Sequence, residues 1–371
     1  TDESPIMLSL GYARPSIMQQ ILPGKPKFTE KDLPDLAGKV CIITGSNTGV
    51  GKEAARILYG ANANVYLACR TESKARAAID EIKAALPDSK GKAEFLKLDL
   101  ADLASIKPSA EAFVAKETRL DVLINNAGVM MPPKGSKTAQ GHEMQMGTNC
   151  LGHFLFTQLL TPTLKATAAQ EKPGAVRVVW TASVATELYS VKNGVDMPAL
   201  NKGKESYVDA YQPMTLYGNS KAGNYYHGTE YARLHKDDNI VSVAANPGNL
   251  DSDLYRTVDN QTGYMKPALQ AFTKFMLFPS VYGAYTELFA GFSPEVTMEK
   301  TGAWSRFPSF TKPTPPPSSP PFFEKHVMLG PWGRFFSMRR DIADGAKPLP
   351  DGNSVAQQFW NWSTDQVKEY L

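Results

Sequence analysis

Two side chains suited to proton transfer stand four residues apart in the run Tyr217-Gly218-Asn219-Ser220-Lys221. On a helix, residues at i and i+4 share one face, so the phenol and the ammonium group lie side by side. A neighbouring positive charge favours the phenolate and lowers the pKa of a tyrosine from about 10. We therefore expect a general acid/base that exchanges a proton with a carbonyl or alcohol oxygen. A tyrosine and a lysine at this spacing are common on protein surfaces. The pair indicates a catalytic site here only because the other motifs of the chain accompany it.

A glycine-rich segment, Thr44-Gly45-Ser46-Asn47-Thr48-Gly49-Val50-Gly51, lies between an apolar run and an amphipathic helical pattern. A strand, a glycine-rich turn and a helix in this order are the context of a dinucleotide-binding fingerprint. Glycines let backbone N–H groups approach a pyrophosphate closely, and the helix N-terminus adds a favourable dipole. An ordinary tight turn is the alternative interpretation. The cofactor contacts expected here are Gly45, Asn47, Thr48, Gly49, Val50 and Gly51.

The elements that must position these groups alternate regularly. Apolar runs predict strands at Val40–Thr44, Asn64–Cys69, Ala93–Leu98, Asp121–Asn125, Ala175–Thr181 and Ile240–Ala245. Helical patterns cover residues near 50–60, 72–86, 102–117, 148–169 and 215–234. Such alternation predicts βαβ units and a doubly wound α/β (Rossmann) fold with a parallel sheet. Asp102 is expected to be a helix N-cap.

Polar motifs follow three of these strands. Asp99-Leu100 closes the third strand, Asn125-Asn126-Ala127-Gly128 closes the fourth, and Ser183 follows the fifth. An open α/β sheet binds its ligand at the carboxyl ends of its strands. Asp99 is therefore placed to meet an adenine edge, with helix capping as the alternative. Cofactor contacts are also expected from Leu100, Asn126, Ala127 and Gly128.

The chain is expected to form a single domain with an extension at each end. Residues 1–36 are irregular and rich in proline, and residues 37–307 form the nucleotide-binding domain. Residues 308–325 are a Pro-rich insertion, interpreted as a solvated loop with an SH3-type ligand as the alternative. Residues 326–371 form a C-terminal extension, and the aromatic side chains near its end predict that it docks on the domain. Its polar stretch 364–370 is expected to be helical.

Composition excludes several classes of function. The 371 residues carry a formal charge of only +3, so nothing favours a nucleic-acid partner. No apolar run is long enough to span a membrane, and the histidines and cysteines lack zinc-ligand spacing, so no metal is expected. Cys41, Cys69 and Cys150 are widely separated in apolar runs, which indicates buried reduced thiols and a cytoplasmic location. No signal-peptide pattern is present, and because the chain begins at Thr1, a removed targeting segment stays open.

The motifs together resemble those of the short-chain dehydrogenase/reductase family. The resemblance covers about residues 37–305, and the ordered set is highly specific although each motif is only moderately so. The set is TGSNTGVG, Asp99-Leu100, Asn125-Asn126-Ala127-Gly128, Asn149, Ser183, Tyr217-x-x-x-Lys221 and Asn246-Pro247-Gly248. Cys69-Arg70 and Asn149-x-x-Gly152-His153-Phe154 resemble retinol-dehydrogenase-like and fungal members in particular.

The resemblance implies a role for each catalytic residue. Tyr217 is the acid/base, and Lys221 lowers the pKa of that tyrosine and holds the nicotinamide ribose. Ser183 hydrogen-bonds the reacting oxygen, and Asn149 helps to hold a proton-relay water. Fungal members of the family often act in specialised metabolism, which suggests the same here.

Three departures from the family pattern leave these four residues intact. The usual double serine reads Ala182-Ser183. The separation of Ser183 from Tyr217 is longer than is common, so the insert 191–211 is expected to loop out near the mouth of the site. The motif Pro247-Gly248-x-x-x-Ser252 has serine in place of threonine at the phosphate and carboxamide contact. Cofactor contacts are expected from Pro247, Gly248 and Ser252.

The residue after the second strand indicates which nicotinamide cofactor is used. An acidic residue there would accept from the ribose 2′-OH, whereas an arginine favours a 2′-phosphate. The chain has Arg70-Thr71, with Lys74 nearby. Arg70 can form a forked, charge-assisted pair with a phosphate, so we expect NADP(H). A solvated arginine at the end of a strand is the alternative.

These features predict an NADP(H)-dependent oxidoreductase that interconverts a carbonyl and an alcohol. The aromatic-rich stretch 249–292 and the insert 191–211 are expected to wall a pocket for a sizeable apolar or aromatic small-molecule substrate. A non-redox catalyst or an NADP-binding scaffold on the same fold is the alternative. The intact Tyr217 and Lys221 argue against that alternative. A homodimer, or peripheral membrane association through Met265–Phe292, is left open.

Overall fold

The computed structural model describes residues 15–251, 254, 277–305 and 325–371, and a mostly parallel sheet is its centre. The first six strands are β1 (Val40–Thr44), β2 (Asn64–Cys69), β3 (Lys92–Lys97), β4 (Val122–Asn125), β5 (Val176–Thr181) and β6 (Ile240–Ala245). They are parallel and lie in the order β3-β2-β1-β4-β5-β6. The doubly wound α/β fold predicted from the sequence is therefore confirmed, with each strand end within one residue of its prediction.

Helices cover both faces of the sheet. In chain order they are α1 (Pro15–Ile21), α2 (Gly49–Gly60), α3 (Glu72–Ala85), α4 (Ile106–Val114), α5 (His153–Ala168), α6 (Ala185–Leu188), α7 (Met197–Asn201), α8 (Lys204–Ala210), α9 (Pro213–Leu234), α10 (Ser280–Phe292), α11 (Arg340–Gly345) and α12 (Val355–Val367). Successive side chains of a strand point to opposite faces, so Ile43 packs in one core layer with Phe289 of α10. Ile42 packs in the other layer with Phe113 of α4.

The sequence predicted no strand after Ile240–Ala245, but the sheet continues beyond that strand. Helix α10 leads to β10 (Lys325–Gly330), which joins the sheet parallel to β6 through the pair Leu329–Ala245. β11 (Arg334–Ser337) then runs antiparallel to β10. The sequence did not predict β10 because the chain between β6 and β10 contains residues 252–276 and the Pro-rich segment. These two stretches interrupt the alternation of apolar runs and helical patterns from which the other strands were predicted. Residues 1–14 and the Pro-rich stretch up to residue 324 lie outside the described residues.

Three further strands, of two residues each, lie between β6 and β10 in the chain. β9 (Trp304–Ser305) pairs antiparallel with β10. β7 (Leu250–Asp251) and β8 (Phe278–Pro279) form a separate parallel pair. None of the helices in the described ranges has the length and apolar character needed to cross a membrane.

The chain after residue 337 docks on the domain, as the aromatic side chains predicted. Phe359 is fully buried and packs in one cluster with Tyr225 and Tyr226 of α9. Helix α12 begins at Val355, nine residues before the predicted helix start. A capping box formed by Ser354 and Gln357 starts the helix there, and this pattern can be recognised in the sequence.

The insert 191–211 is mostly core rather than a loop over the site. It forms α7 and α8, and the apolar side chains of this insert pack with Phe359 and Tyr226 in one cluster. The buried members of that cluster are Val195, Met197, Leu200 and Tyr207. Its first residue stays close to the site because Val191 N–H donates to Asn219 Oδ1 over 3.0 Å. The expectation that the whole insert loops out is therefore corrected.

Candidate active site

The turn after β1 and the turn after β4 touch through glycines. A Cβ at Gly45 would lie 2.9 Å from the Cα of Ala127, and Gly45 has a φ of +68°. A Cβ at Gly51 would lie 2.6 Å from Nδ2 of Asn126. That Nδ2 donates to the carbonyl oxygen of Thr44 over 2.7 Å. Only glycine fits these two positions, and the predicted contacts from both motifs therefore meet in one place.

Helix α2 points its N-terminus into the same place. It begins at Gly49, which has a φ of +55°, and its N-cap Thr48 is extended. The first N–H groups of a helix have no partner inside the helix, and they carry the positive end of its dipole. Asn47 and Val50 lie on either side of this start. The residues present fit a pyrophosphate, and their contact with one stays a prediction.

The end of β2 carries an exposed cation. The side chain of Arg70 is exposed, and α3 starts two residues later at Glu72. The parallel register pairs Cys69 with Lys97 of β3, and Lys97 Nζ donates to the carbonyl oxygen of Arg70 over 2.6 Å. Two cations therefore lie together at the ends of neighbouring strands. Lys97 was not predicted, although the register of β2 and β3 would have pointed to it.

Asp99 caps the turn that follows β3. Its Oδ1 accepts from Ala101 N–H over 3.0 Å, and its carbonyl oxygen accepts from the hydroxyl of Ser105 over 3.2 Å. Leu100 is buried, and its carbonyl oxygen would lie 2.5 Å from a Cβ at Gly152. Asp99 therefore stabilises the turn, whereas Asp102 is the N-cap of the helical element that follows, as predicted, because its side chain accepts from Ala104 N–H. Helix capping by Asp99 is not observed, and its contact with an adenine edge stays a prediction.

Tyr217 and Lys221 lie next to each other on the buried face of α9. Lys221 Nζ is 5.7 Å from the centroid of the Tyr217 ring, and both residues are buried. Nζ donates to the carbonyl oxygen of Thr181 over 2.9 Å. Burial lowers the pKa of Lys221 to about 8, and electrostatic interactions with Cys150 and Glu287 act in the opposite direction. This tyrosine–lysine pair is therefore part of an interior site and not a surface coincidence.

Asn149 joins the turn after β4 to α9. It lies in a π-helical turn, Met146–Gly152, directly before α5. Its Oδ1 accepts from Val129 N–H over 2.8 Å, and its Nδ2 donates to the Val129 carbonyl and to Ser220 Oγ, both over 3.0 Å. π-helical turns often occur at functional sites. The predicted Asn149 is thus held firmly beside the tyrosine–lysine pair.

His153 completes this framework, and no role was predicted for it. Nε2 of His153 lies 2.9 Å from Thr44 Oγ1, and Nδ1 lies 2.9 Å from the Asn149 carbonyl oxygen. Because a carbonyl can only accept, we assign the ring proton to Nδ1, and Nε2 accepts from the threonine hydroxyl. Burial lowers the pKa of His153 to about 4, so the ring is neutral near pH 7. The histidine links the glycine-rich segment to Asn149.

Ser183 lies at the start of the turn into α6. Its Oγ accepts from Ala185 N–H over 3.2 Å, and it is half-buried. Apolar side chains surround the neighbouring Tyr217 and make a collar. The collar consists of Met130, Met131, Ala185, Tyr189, Met214 and Leu254. Leu254 belongs to the stretch 249–292 that was expected to wall the pocket, whereas the other members were not predicted, although Met130-Met131 begins two residues after Gly128 of the Asn-Asn-Ala-Gly motif.

The turn after β6 is held by backbone and side-chain bonds. Asn246 N–H donates to the Leu329 carbonyl over 2.7 Å, and Asn246 Oδ1 accepts from Gly248 N–H over 3.1 Å. Gly248 has a φ of +98°, and a Cβ there would lie 3.4 Å from Pro331. Pro247 is half-buried beside it. Ser252, the last of the predicted cofactor contacts, lies outside the described residues.

Comparisons with known proteins agree with this geometry. A model of the short chain dehydrogenase family matches residues 39–195. A short-chain dehydrogenase/reductase of Phomopsis amygdali is 44% identical over 355 residues, covering 95% of this chain and 96% of that protein. The short-chain dehydrogenase/reductase bet4 of Neocamarosporium betae is 41% identical over 360 residues, covering 96% and 94%.

Solved structures share the fold. An uncharacterised protein from Mycobacterium paratuberculosis aligns with a TM-score of 0.56 at 26% identity, over 92% of this chain and 97% of that one. A 3-ketoacyl-(acyl-carrier-protein) reductase from Brucella melitensis, complexed with NADH, aligns with a TM-score of 0.53 at 22% identity over 72% and 95%. Since near full-length relatives carry the family name and the motifs meet at one edge of the sheet, the chain belongs to the short-chain dehydrogenase/reductase family.

Proposed function

We propose that the protein is an NADP(H)-dependent oxidoreductase that interconverts a carbonyl and an alcohol group on a sizeable apolar or aromatic substrate. The observation that carries this proposal is the buried Tyr217 beside Lys221, inside a collar of methionine and aromatic side chains. A scaffold protein would have no need of a lysine buried at such cost in hydration.

Proton transfer is the work of the protein in this proposal. When bound, the nicotinamide cofactor supplies or accepts the hydride. In reduction the hydroxyl of Tyr217 gives a proton to the substrate oxygen, and in oxidation its phenolate takes a proton from the alcohol. The positive charge of Lys221 favours the phenolate. Ser183 hydrogen-bonds the same oxygen. Asn149 holds the turn after β4 against α9, which keeps the pair in place.

The preference for NADP(H) is supported by Arg70 and Lys97. Both cations lie at the strand end where the ribose 2′ position of a dinucleotide is expected. Arginine binds a phosphate through a fork of donors, and lysine adds a point charge. The glycines that let two turns approach each other support the rest of the cofactor site.

The collar around Tyr217 supports an apolar substrate. Met130, Met131 and Met214 supply unbranched thioether side chains, which adapt to ligands of irregular shape. Tyr189 adds an aromatic surface. Apart from the hydroxyl of Tyr189, these side chains offer no strong hydrogen-bonding group. The substrate would therefore be recognised mainly by its shape and apolar surface, with one oxygen held at Tyr217 and Ser183.

The proposal includes the setting of the enzyme. The relatives of known name come from fungi, which supports a role in fungal specialised metabolism. The three cysteines are free and buried, which supports a reducing, cytoplasmic location. The proposal also includes a homodimer, which light scattering of the purified protein would test.

The test is to follow product and NADPH together while a panel of aromatic ketones, quinones and alcohols is screened. We expect one mole of NADPH consumed for each mole of alcohol formed. In Tyr217→Phe, folding and cofactor binding should survive while the rate falls by roughly 10²–10⁴. Product formed by the wild type without a matching change in the nicotinamide would support a non-redox catalyst. NADPH bound but never consumed, with no product, would support a scaffold.

A further inference from the structure

Helix α1 places one buried side chain between two segments of the candidate site. Gln20 is 1% exposed, whereas the adjacent Gln19 is exposed. Gln20 Nε2 donates to Glu187 Oε1 over 2.8 Å. Gln20 Oε1 accepts from Asn246 Nδ2 over 2.9 Å. One carboxamide therefore bridges two residues that are 167 and 226 positions away along the chain.

Each partner belongs to a segment that the proposed function uses. Glu187 lies in α6, whose first N–H group donates to Ser183 Oγ. Asn246 holds the turn that contains Pro247 and Gly248, because its Oδ1 accepts from Gly248 N–H. Gln20 thus sets the distance between the segment of the reacting oxygen and the segment of the cofactor.

The opposite end of the chain holds the same segment. Arg339 donates to the carbonyl oxygens of Glu187 over 2.9 Å, Ser190 over 3.2 Å and Val191 over 2.6 Å. Asp341 orients this guanidinium through Nε over 2.7 Å. The backbone of α6 is therefore fixed by the C-terminal extension, and its Glu187 side chain is fixed by the N-terminal one.

The chemistry of the bridge is specific. A carboxamide carries a donor and an acceptor on one rigid plane, so it can serve a carboxylate on one side and an amide N–H on the other. Removing it would take one hydrogen-bond partner from each of two buried polar groups, the Glu187 carboxyl and the Asn246 amide, which is far more costly than losing an exposed bond. A change at Gln20 should therefore be felt in both segments at once.

We propose that Gln20 is a positioning residue that couples the Ser183 segment to the Asn246–Gly248 turn, so that the N-terminal extension is a working part of the active site. The inference rests on the proposed function because cofactor binding is one readout of the coupling. The other readout, local hydrogen exchange, does not depend on that function.

The test compares Gln20→Ala with Gln19→Ala, the same substitution one residue earlier on the same helix. NADPH affinity is measured by fluorescence titration, and hydrogen exchange is followed by mass spectrometry in residues 183–191 and 246–251. We expect Gln20→Ala to weaken NADPH binding about tenfold and to speed exchange in both segments. Gln19→Ala should match the wild type in both measurements.

A rescue experiment separates positioning from a general loss of packing. Gln20→Glu sets two carboxyl groups against each other and should weaken NADPH binding as Gln20→Ala does. Adding Glu187→Gln returns an amide donor to the pair with the partners exchanged, and binding should recover toward the wild-type value. Recovery requires the bridge itself, because neither substitution changes side-chain volume appreciably.

Two results would overturn the inference. One is Gln20→Ala behaving as Gln19→Ala in both affinity and exchange. The other is the double variant binding NADPH no better than Gln20→Glu alone. A wild-type protein that binds neither NADPH nor NADH would refute the proposed function instead. In that case faster exchange in both segments of Gln20→Ala, and its reversal in the double variant, still decides whether the bridge exists.

Discussion

Lys221 donates a hydrogen bond from Nζ to the main-chain oxygen of Thr181 over 2.9 Å. The hydroxyl of that same threonine donates to Oε1 of Glu287 over 3.2 Å. Burial lowers the pKa of Lys221 to about 8 and raises the pKa of Glu287 to about 8. Thr181 therefore links the lysine of the tyrosine–lysine pair to a buried acid.

The first prediction concerns the pH profile. Negative charge on Glu287 raises the pKa of Lys221, so Glu287→Gln should lower it. Lys221 then loses its proton at a lower pH, and the alkaline fall in NADPH-dependent reduction should move to lower pH. Rates measured against pH in wild type and Glu287→Gln check this. The exposed Glu295→Gln, just after α10, is the control and should leave the profile in place.

The change should be attributable to Glu287 alone. Both variants keep the other titratable groups that face Lys221, which are Cys150, His153 and Tyr217. An alkaline limb that stays fixed, or that moves to higher pH, would contradict the electrostatic coupling.

The second prediction concerns the cofactor. Arg70→Ala should weaken NADPH binding far more than NADH binding, because only NADPH carries the 2′-phosphate. Lys97→Ala should have the same sign and a smaller size, since Lys97 contacts the Arg70 carbonyl. Lys92→Ala removes an exposed lysine from the other end of β3 and is the matched control. An equal loss of affinity for NADPH and NADH would mean that Arg70 and Lys97 do not bind the 2′-phosphate.

The third prediction separates the pocket from the core with two methionines. Met214 is half-buried in the collar around Tyr217, whereas Met197 is buried within the insert. Met214→Ala should raise KM for a bulky substrate with little loss of stability. Met197→Ala should cost about 2–5 kcal/mol of unfolding free energy while leaving KM unchanged. Denaturant unfolding and steady-state kinetics of both variants check this. A change of KM in Met197→Ala would contradict the expectation and would mean that the insert lines the substrate pocket.

The packing of the insert against α9 and α12 also predicts the effect of deleting it. Removing residues 191–211 exposes the apolar faces of α9 and α12 that it covers. We expect misfolded protein rather than a selective loss of substrate affinity. Retained folding, measured by circular dichroism, would show that the insert is dispensable to the core.

The fourth prediction concerns acid stability. His227 is fully buried between Phe154 and Phe359, and burial lowers its pKa to about 3. An unfolded chain binds a proton at a pKa of about 6.5, so this histidine destabilises the fold as pH falls below that value. His227→Phe keeps a ring in place and loses the bond to Ser363 Oγ. Its unfolding free energy should fall less steeply than that of the wild type between pH 6.5 and about 3. Parallel curves would contradict the assignment.

Much of the site could be predicted because its motifs depend on local backbone geometry. Gly45 and Gly51 were recognised since a strand, a tight turn and a helix N-terminus demand small residues in a fixed order. Lys97, Glu287 and Gln20 could not be found in this way. They reach the site through strand register, a later helix and a terminal extension, which are relationships of the folded chain and leave no local pattern. β10 was missed for a related reason, since its partner strand lies far away in sequence.

The late arrival of β10 has a consequence for synthesis. Domains form largely from the N-terminus as the chain emerges, at about 5–20 residues per second. Strands β1 to β6 can assemble early. The Asn246 N–H can donate its hydrogen bond to the Leu329 carbonyl oxygen only when β10 has been made. The nascent protein would thus form strands β1 to β6 first and complete the turn at Asn246 last. A chain stalled before residue 325 would carry a sheet that lacks β10, with the Asn246 N–H still without its Leu329 acceptor.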